Sequence, residues 1–190
     1  MNRRLIIALF VVVAVVQLAV AGGAIIRSEL ALRYGASVRF RVQPVDPVDA
    51  FRGRYVAIRF AIDRLPVADD LDLRPGKRVF APIEIDPDGF AILGRADVDP
   101  PASGPYLPLR AGGISSDEEG NRYVWVSMPF RRYYMDEDLA PEAERAVWGG
   151  PRGQREAFVS VRIRDGVGVI EELYVDGVPI HEWLAANADK

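Results

Sequence analysis

The stretch "SVRFRVQ" (residues 37–43) decides the fold class, because the sequence changes its period there. Val38, Phe40 and Val42 alternate with polar residues. A period of two is typical of a strand that buries one face. A continuously apolar run ends at Ile26, some residues before this stretch, whereas the alternation returns many times after it. We therefore expect an apolar helix followed by a β-rich domain.

Six further stretches alternate in the same way or are apolar on both faces. They are "RYVAIRFAI" (54–62), "RVFAPIEI" (78–85), "FAILGRADV" (90–98), "RYVWVSMPF" (122–130), "AFVSVRI" (157–163) and "VGVIEELYV" (167–175). The turns "DPDG" (86–89), "RDG" (164–166) and "VDG" (175–177) favour hairpins. The last of these turns leads into "VPIHEWLA" (178–185), which we interpret as one more strand. About seven or eight strands predict a mainly antiparallel sandwich or partial barrel.

One short helix and one long loop interrupt these strands. Pro141 suits the first turn of a helix, Glu142 and Glu144 suit its positive end, and two glycines follow Trp148. The stretch "DPPASGPYLPLRAGG" (99–113) is rich in proline and glycine, and we predict a loop there.

The amino-terminal apolar run predicts a membrane-spanning helix. It begins at Leu5, ends at Ile26 and contains no charged residue. A helix of this length reaches about 33 Å, enough to cross a hydrocarbon core of about 30 Å. Because Arg3 and Arg4 precede it, the positive-inside rule keeps the amino terminus in the cytoplasm. We expect a single-pass protein of the cytoplasmic (inner) membrane whose second domain is extracytoplasmic, or periplasmic.

The alternative is a cleaved secretory signal. Residues 5–16 would form its apolar region, and cleavage would follow Ala21. The apolar run continues past Ala21, which favours an uncleaved anchor; both interpretations export the domain. "SELALRY" (28–34) extends the helix and Gly35 ends it. The predicted domains are therefore an anchor at residues 1–34 and a β-rich domain at residues 35–190.

Composition removes several classes of function. The chain has no cysteine, so disulfides, thiol catalysis and cysteine-ligated metals are excluded. A single histidine, His181, excludes multi-histidine metal sites. The net charge is –3, and without residues 1–34, which hold four arginines and one glutamate, the excess of acidic residues is six. Such a domain is poorly suited to binding nucleic acid, or anionic lipid, through bulk electrostatics. We predict no cofactor.

The catalytic and metal-binding candidates each have a simpler structural interpretation. His181 would need an activated serine, but no Gly-x-Ser-x-Gly pattern marks one. "DPDG" begins like a calcium loop, but apolar residues follow where oxygen ligands are needed, so a tight hairpin turn is favoured. The acidic stretches "ADDLD" (68–72) and "SSDEEG" (115–120) are typical of solvated loops.

Arginine and tyrosine residues follow the predicted central strand "RYVWVSMPF" and form a candidate partner-binding rim. Arg132, Tyr133 and Tyr134 belong to it, together with Arg52 and Arg54 from an earlier turn. Arginine with aromatic side chains makes a good recognition surface. The alternative is structural, with the arginines paired to acidic residues at 136–138 and the tyrosines covering the core.

The stretch "VDPVDAFRGRYVAIRF" (45–60) predicts a capped helical turn, a glycine exit and a strand start. It resembles the signature of the bacterial GDYXXLXY family. Gly53 and Tyr55 match the motif, Ile58 and Phe60 replace its Leu and final Tyr conservatively, and Arg54 stands where the motif has Asp. The stretches "MPFRRYYMDEDLAPEAE" and "ELYVDGVPI" add to the likeness, which spans residues 1–180.

The resemblance implies an amino-terminal membrane segment and an exported domain of this size. It implies no activity, since the family has none established, but association with multi-spanning membrane proteins points to a membrane complex. The charge reversal at Arg54 argues against a catalytic acid or metal ligand at that position. We therefore expect a non-enzymatic partner of an envelope or integral membrane protein. The alternative is an envelope enzyme or small-ligand binder with a carboxylate and arginine pocket near Arg52, Arg54 and Arg132.

Overall fold

The amino-terminal helix leads into a domain whose described residues form strands and two short helices. The computed structural model describes residues 3–43, 55–60, 62–68, 71–148 and 155–187. Its helices are α1 (Arg3–Tyr34), α2 (Ala140–Trp148) and α3 (Ile180–Asn187). Its strands are β1 (Ala36–Gln43), β2 (Tyr55–Ala57), β3 (Arg59–Phe60), β4 (Arg64–Pro66), β5 (Arg78–Ile85), β6 (Ala91–Leu93), β7 (Tyr106–Ser116), β8 (Arg122–Ser127), β9 (Arg132–Tyr134), β10 (Ala157–Arg164), β11 (Val167–Val175) and β12 (Val178–Pro179).

Within the described ranges the strands form two five-stranded antiparallel sheets and one two-stranded ribbon. The first sheet has the order β12-β11-β10-β1-β3, the second β4-β8-β7-β5-β6, and the ribbon pairs β2 with β9. The second sheet nearly closes on itself, because the amide of Ala96 donates to the carbonyl of Pro66 at 2.9 Å. The predicted fold class, a mainly antiparallel β sandwich or partial barrel, is confirmed as mainly β with a nearly closed sheet, and α3 is a short helix beyond the one that was predicted.

The core lies between the sheets and contains the apolar side of each alternating strand. In β1 the residues Val38, Phe40 and Val42 are buried and their neighbours are exposed, as the alternation predicts. Leu109 of β7 and Leu173 of β11 are also buried in this core. Burial of each such side chain contributes about 1.5–3 kcal/mol relative to its exposure.

Two of the predicted hairpins use the same turn. Asp165 and Gly166 connect β10 to β11 with φ angles of 50° and 74°, and Asp176 and Gly177 connect β11 to β12 with 52° and 79°. Positive φ at both central residues is the type I′ geometry, whose twist matches that of the flanking strands.

The interpretation of "VPIHEWLA" as a strand is wrong beyond its first two residues. Only Val178 and Pro179 are extended, and α3 follows from Ile180. Ile180 and Leu184, four residues apart, are both buried, so this short apolar run has the period of a helix.

The stretch "RYVAIRFAI" is also not one strand. Its β2 part pairs with β9, whereas its β3 part pairs with β1. Val56, Ile58 and Phe60 nevertheless remain buried on one face. The alternation therefore predicts which face is buried, while the chain passes from one partner strand to another.

The predicted loop at residues 99–113 contains much of β7, the longest strand of the described chain. Pro108 is tolerated opposite Phe80, because the amide and carbonyl of Phe80 are hydrogen-bonded to Asp97 instead. β8 pairs with β7 only from Arg110 onwards, so no described strand needs an amide hydrogen from Pro108. Two glycines at 112 and 113 form the bulge opposite Trp125.

Helix α1 runs without interruption for 32 residues from the apolar run into the domain. It is long and apolar enough to cross a membrane, and no part of its most apolar stretch is buried against the domain. Its last turns pack against β10 and β11, where Ala31 and Gly35 are buried. As predicted, the helix ends before Gly35, whose amide donates to the carbonyl of Ala31 at 2.8 Å.

Candidate functional site

The ribbon of β2 and β9 carries the predicted Arg–Tyr rim. Tyr55 lies opposite Tyr134, Val56 opposite Tyr133 and Ala57 opposite Arg132. Side chains alternate across a strand, so Arg132 and Tyr134 point outward while Tyr133 points into the core.

The exposed side of the ribbon is a cluster of one guanidinium and two phenol rings. The guanidinium carbon of Arg132 lies 4.7 Å from the ring centroid of Tyr55. The rings of Tyr55 and Tyr134 meet edge to face at 5.9 Å, and Tyr134 is 68% exposed. Tyr134 and Tyr55 raise the pKa of Arg132 above its usual range. This arrangement leaves a cationic and aromatic surface in contact with solvent.

Tyr133 connects the ribbon to the first sheet. It is 8% exposed, and its hydroxyl donates to Oε1 of Glu172 at 2.7 Å. The same carboxylate oxygen accepts the amide of Leu173 at 3.0 Å. Burial and the bond to Glu172 raise the pKa of Tyr133 well above its ordinary value. Tyr133 therefore positions the ribbon and is not part of its exposed surface.

We expect Tyr133→Phe to lower the free energy of unfolding by about 2 kcal/mol at pH 7, because it removes a hydrogen bond to a carboxylate. The raised folded-state pKa also makes the wild type sensitive to alkali. Its stabilisation by Tyr133 is complete below pH about 10, the ordinary pKa of tyrosine, and is lost as the pH rises toward the folded-state pKa.

Urea unfolding of the detergent-solubilised chain between pH 7 and pH 11, followed by tryptophan fluorescence, measures both effects. The exposed Tyr134→Phe is the matched control and should change the unfolding free energy by less than about 0.5 kcal/mol. Equal stability of wild type and Tyr133→Phe at pH 7 would refute the positioning role.

Residues 129–134, the β9 segment, separate two open grooves. The ribbon groove has a volume of about 730 Å³ and its walls include Tyr55, Arg59, Asp63 and Met128. The helix groove, of about 690 Å³, lies between the β9 segment, β11 and Ser28 of α1. Residues 130–132 line both grooves, so one short segment determines the shape of each.

The β9 segment carries two arginines, and no carboxylate of the described residues neutralises them. Neither Arg131 nor Arg132 forms an ion pair with an acidic residue of the described ranges. Glu171, which lines the helix groove, lies 3.0 Å from Nε of Arg162 and accepts the Ser160 hydroxyl at 2.9 Å. These contacts, led by Arg162, lower the pKa of Glu171. Glu171 therefore stays ionised and is a weak proton acceptor.

The structure brings Arg132, Tyr133 and Tyr134 together with Tyr55 from the family motif. Arg52, Arg54 and Gly53, and with them the predicted helical turn at 46–53, lie outside the described residues. The motif residues Ile58 and Phe60 are 5% and 6% exposed and belong to the core. Arg131 and Arg132 form no ion pair with the acidic residues 136–138 within the described ranges.

Sequence reasoning missed the residues that support the rim from behind. Gly168 of β11 lies under the ring of Phe130, and Arg162 holds Glu171 at the groove edge. A signal existed for Gly168, since an isolated glycine in a strand often marks the close approach of another group. No local pattern predicts the pairing of Arg162 with Glu171, which depends on the register of β10 and β11.

The acidic turns and the lone histidine have structural roles or remain on the surface. Asp86 accepts the amide of Phe90 at 2.8 Å and pairs with Arg41 at 2.6 Å, which completes the hairpin turn between β5 and β6. Asp117 accepts the amide of Asn121 at 2.8 Å in the turn between β7 and β8. No group of three metal-ligating residues occurs within the described ranges. His181 lies on the exposed side of α3.

Comparison with known families agrees with the motif at the ribbon. The model of the GDYXXLXY protein family matches residues 17–173. The chain belongs to this family. The matched residues include the second half of α1, the ribbon and the lining of the helix groove. Comparisons with curated proteins and with solved structures returned no match.

Proposed function

We propose that this GDYXXLXY protein is a membrane-anchored extracytoplasmic module that forms a complex with an integral membrane protein. The observation that carries the proposal is the direct attachment of the domain to α1. Ala31 and Gly35 bury the end of the helix against β10 and β11. A domain held in this way has a defined orientation over the membrane, which a recognition module needs and a flexible tether does not provide.

The Arg–Tyr rim supports the proposal. Arg132 and Tyr134 are exposed and lie next to the half-buried Tyr55, and arginine and tyrosine are enriched among the residues that dominate binding energy at protein interfaces. The basic residues Arg3 and Arg4 before the apolar run support a cytoplasmic amino terminus and an extracytoplasmic domain.

The experiment is affinity purification of the tagged full chain from detergent-solubilised membranes, compared with a tagged anchor of residues 1–34. We expect an integral membrane protein to be enriched with the full chain and not with the anchor. The double variant Arg132→Ala/Tyr134→Ala should reduce this enrichment roughly tenfold or more, because such residues each contribute about 2 kcal/mol at an interface centre.

The matched control is Arg64→Ala/Tyr123→Ala. It removes another arginine stacked on tyrosine, at 5.0 Å, from the second sheet. This variant should retain the partner. Equal recovery with the anchor alone, or equal loss in both double variants, would contradict the proposed role of the rim.

A second function is favoured by one feature of the ribbon groove. Its described walls bring Asp63 together with Arg59, Arg131 and Arg132, an arrangement that suits a small zwitterionic or anionic ligand. Thermal shift of the solubilised chain against such compounds tests this function. A stabilisation that Asp63→Asn or Arg59→Gln abolishes supports it, and no shift at millimolar ligand counts against it.

A further inference from the structure

The helix groove lies close to the end of the apolar run of α1. Ser28 lines it and is two residues beyond Ile26, where the apolar run of α1 ends. At 1.5 Å of rise per residue, this wall is only about 3 Å along the helix from the end of the apolar run. The headgroup layer on each side of a bilayer is about 5–8 Å thick. If α1 spans the membrane, the mouth of the groove therefore lies among lipid headgroups.

The lining of this groove is amphipathic. Val169 and Ile170 of β11 and the ring of Phe130 provide apolar surface. Arg131, Arg132 and Tyr134 provide polar groups at the other wall. Apolar surface beside arginine and tyrosine matches the boundary between the acyl chains and the headgroups of a phospholipid.

The charge balance of the groove is locally positive. Glu171 is occupied by Arg162, whereas Arg131 and Arg132 have no carboxylate partner within the described ranges. Guanidinium groups bind phosphate through paired hydrogen bonds. The domain as a whole is acidic, so bulk attraction to an anionic membrane is not available, and binding depends on these two side chains being held at the membrane surface.

We propose that the helix groove binds the phosphate headgroup of an anionic phospholipid, with Arg131 and Arg132 as its phosphate ligands and Tyr134 at the rim. This inference rests on the membrane anchoring in the proposed function, but not on the existence of a protein partner. An acidic peptide would satisfy the arginines but would leave the apolar wall of Val169 and Ile170 beside the bilayer uncovered. The observations therefore favour the lipid.

The test uses the purified full chain in lipid nanodiscs of pure phosphatidylcholine and of phosphatidylcholine with 30% phosphatidylglycerol. Amide hydrogen exchange of residues 130–134, the part of the β9 segment after Pro129, is measured in both. We expect exchange to slow at least tenfold in the phosphatidylglycerol nanodiscs. The variant Arg131→Gln/Arg132→Gln should lose this protection.

The matched control is Arg78→Gln/Arg110→Gln, which removes two exposed arginines that face each other across β5 and β7. It should keep the full protection. Loss of protection in both double variants would show a general charge effect and overturn the site. Equal exchange in the two lipid compositions would overturn it as well.

Two further measurements distinguish a lipid phosphate from a soluble anion, and the lipid site from the proposed protein partner. Protection in phosphatidylcholine nanodiscs by 10 mM inorganic phosphate, or by a soluble polyglutamate peptide, to the level seen with phosphatidylglycerol would overturn the assignment to a lipid. Failure of the chain to enter any nanodisc would refute the anchoring, and the lipid site with it. A partner lost from the affinity purification would leave the exchange result unaffected, so the two proposals fail separately.

Discussion

Replacement of Gly35 by alanine is expected to lower the free energy of unfolding by about 3 kcal/mol, the upper part of the range for overpacking a filled site. A Cβ at this position would overlap the carbonyl oxygen of Ala31 and lie 2.9 Å from the amide nitrogen of Ile163. Both neighbours are backbone atoms of regular elements, so neither can move without opening the contact between α1 and β10. Gly35 is therefore the residue that lets the anchor and the sheet approach each other.

The variant should also loosen the orientation of the domain. Trypsin cleavage after Arg33, in the last turn of α1, should become faster as the junction opens. Urea unfolding in detergent and the rate of this cleavage measure the two effects. Gly113→Ala is the control, because a Cβ there would find its nearest neighbour at 4.0 Å. Equal behaviour of Gly35→Ala and Gly113→Ala in both measurements would contradict a tightly packed junction. It would also contradict a fixed orientation of the domain relative to α1.

The alternating strands could be predicted from the sequence because burial of one face leaves a local signal. β1, β5, β8, β10 and β11 lie in predicted strand stretches to within one residue at either end. β7 could not be predicted, since its prolines and glycines are tolerated only through its neighbours. Pro108 lies where no described strand requires its amide, and Gly112 and Gly113 form a bulge across from Trp125. Both facts belong to the pairing of strands, which the local sequence does not contain.

The candidate site was predictable in composition but not in geometry. The cluster of Arg132 and Tyr134 could be predicted from adjacent residues, whereas its contact with Tyr55 depends on the β2–β9 register. Alternation alone assigns Tyr133 and Tyr134 to opposite faces, but it does not say which face is the core. The two grooves were beyond prediction, because each needs a wall from a distant element: β3 and β8 for one, α1 and β11 for the other.

Replacement of Gly168 by alanine is expected to lower the free energy of unfolding by about 2 kcal/mol, within the range for overpacking. A Cβ there would overlap Cζ of Phe130, lie 2.7 Å from its Cε1 and lie 3.3 Å from Cδ2 of Leu107. The ring of Phe130 cannot retreat freely, since it packs edge to face on Phe60 at 6.2 Å. The strain should therefore pass to the β9 segment, whose first buried side chain is Phe130.

A double-mutant cycle separates this strain from a general weakening of β11. Phe130→Leu removes the ring atoms that a new Cβ would meet, so Gly168→Ala should cost at least about 1 kcal/mol less in that background, a coupling typical of residues in contact. Gly168→Ala should also speed amide exchange of residues 130–134 more than that of β5 and β7. Strictly additive free energies would refute the contact as the source of the strain. Non-additive free energies would mean that Gly168 of the first sheet determines the position of Arg131 and Arg132. Because Gly168 has no side chain, the ring of Phe130 can pack against it and hold the β9 segment between the two grooves.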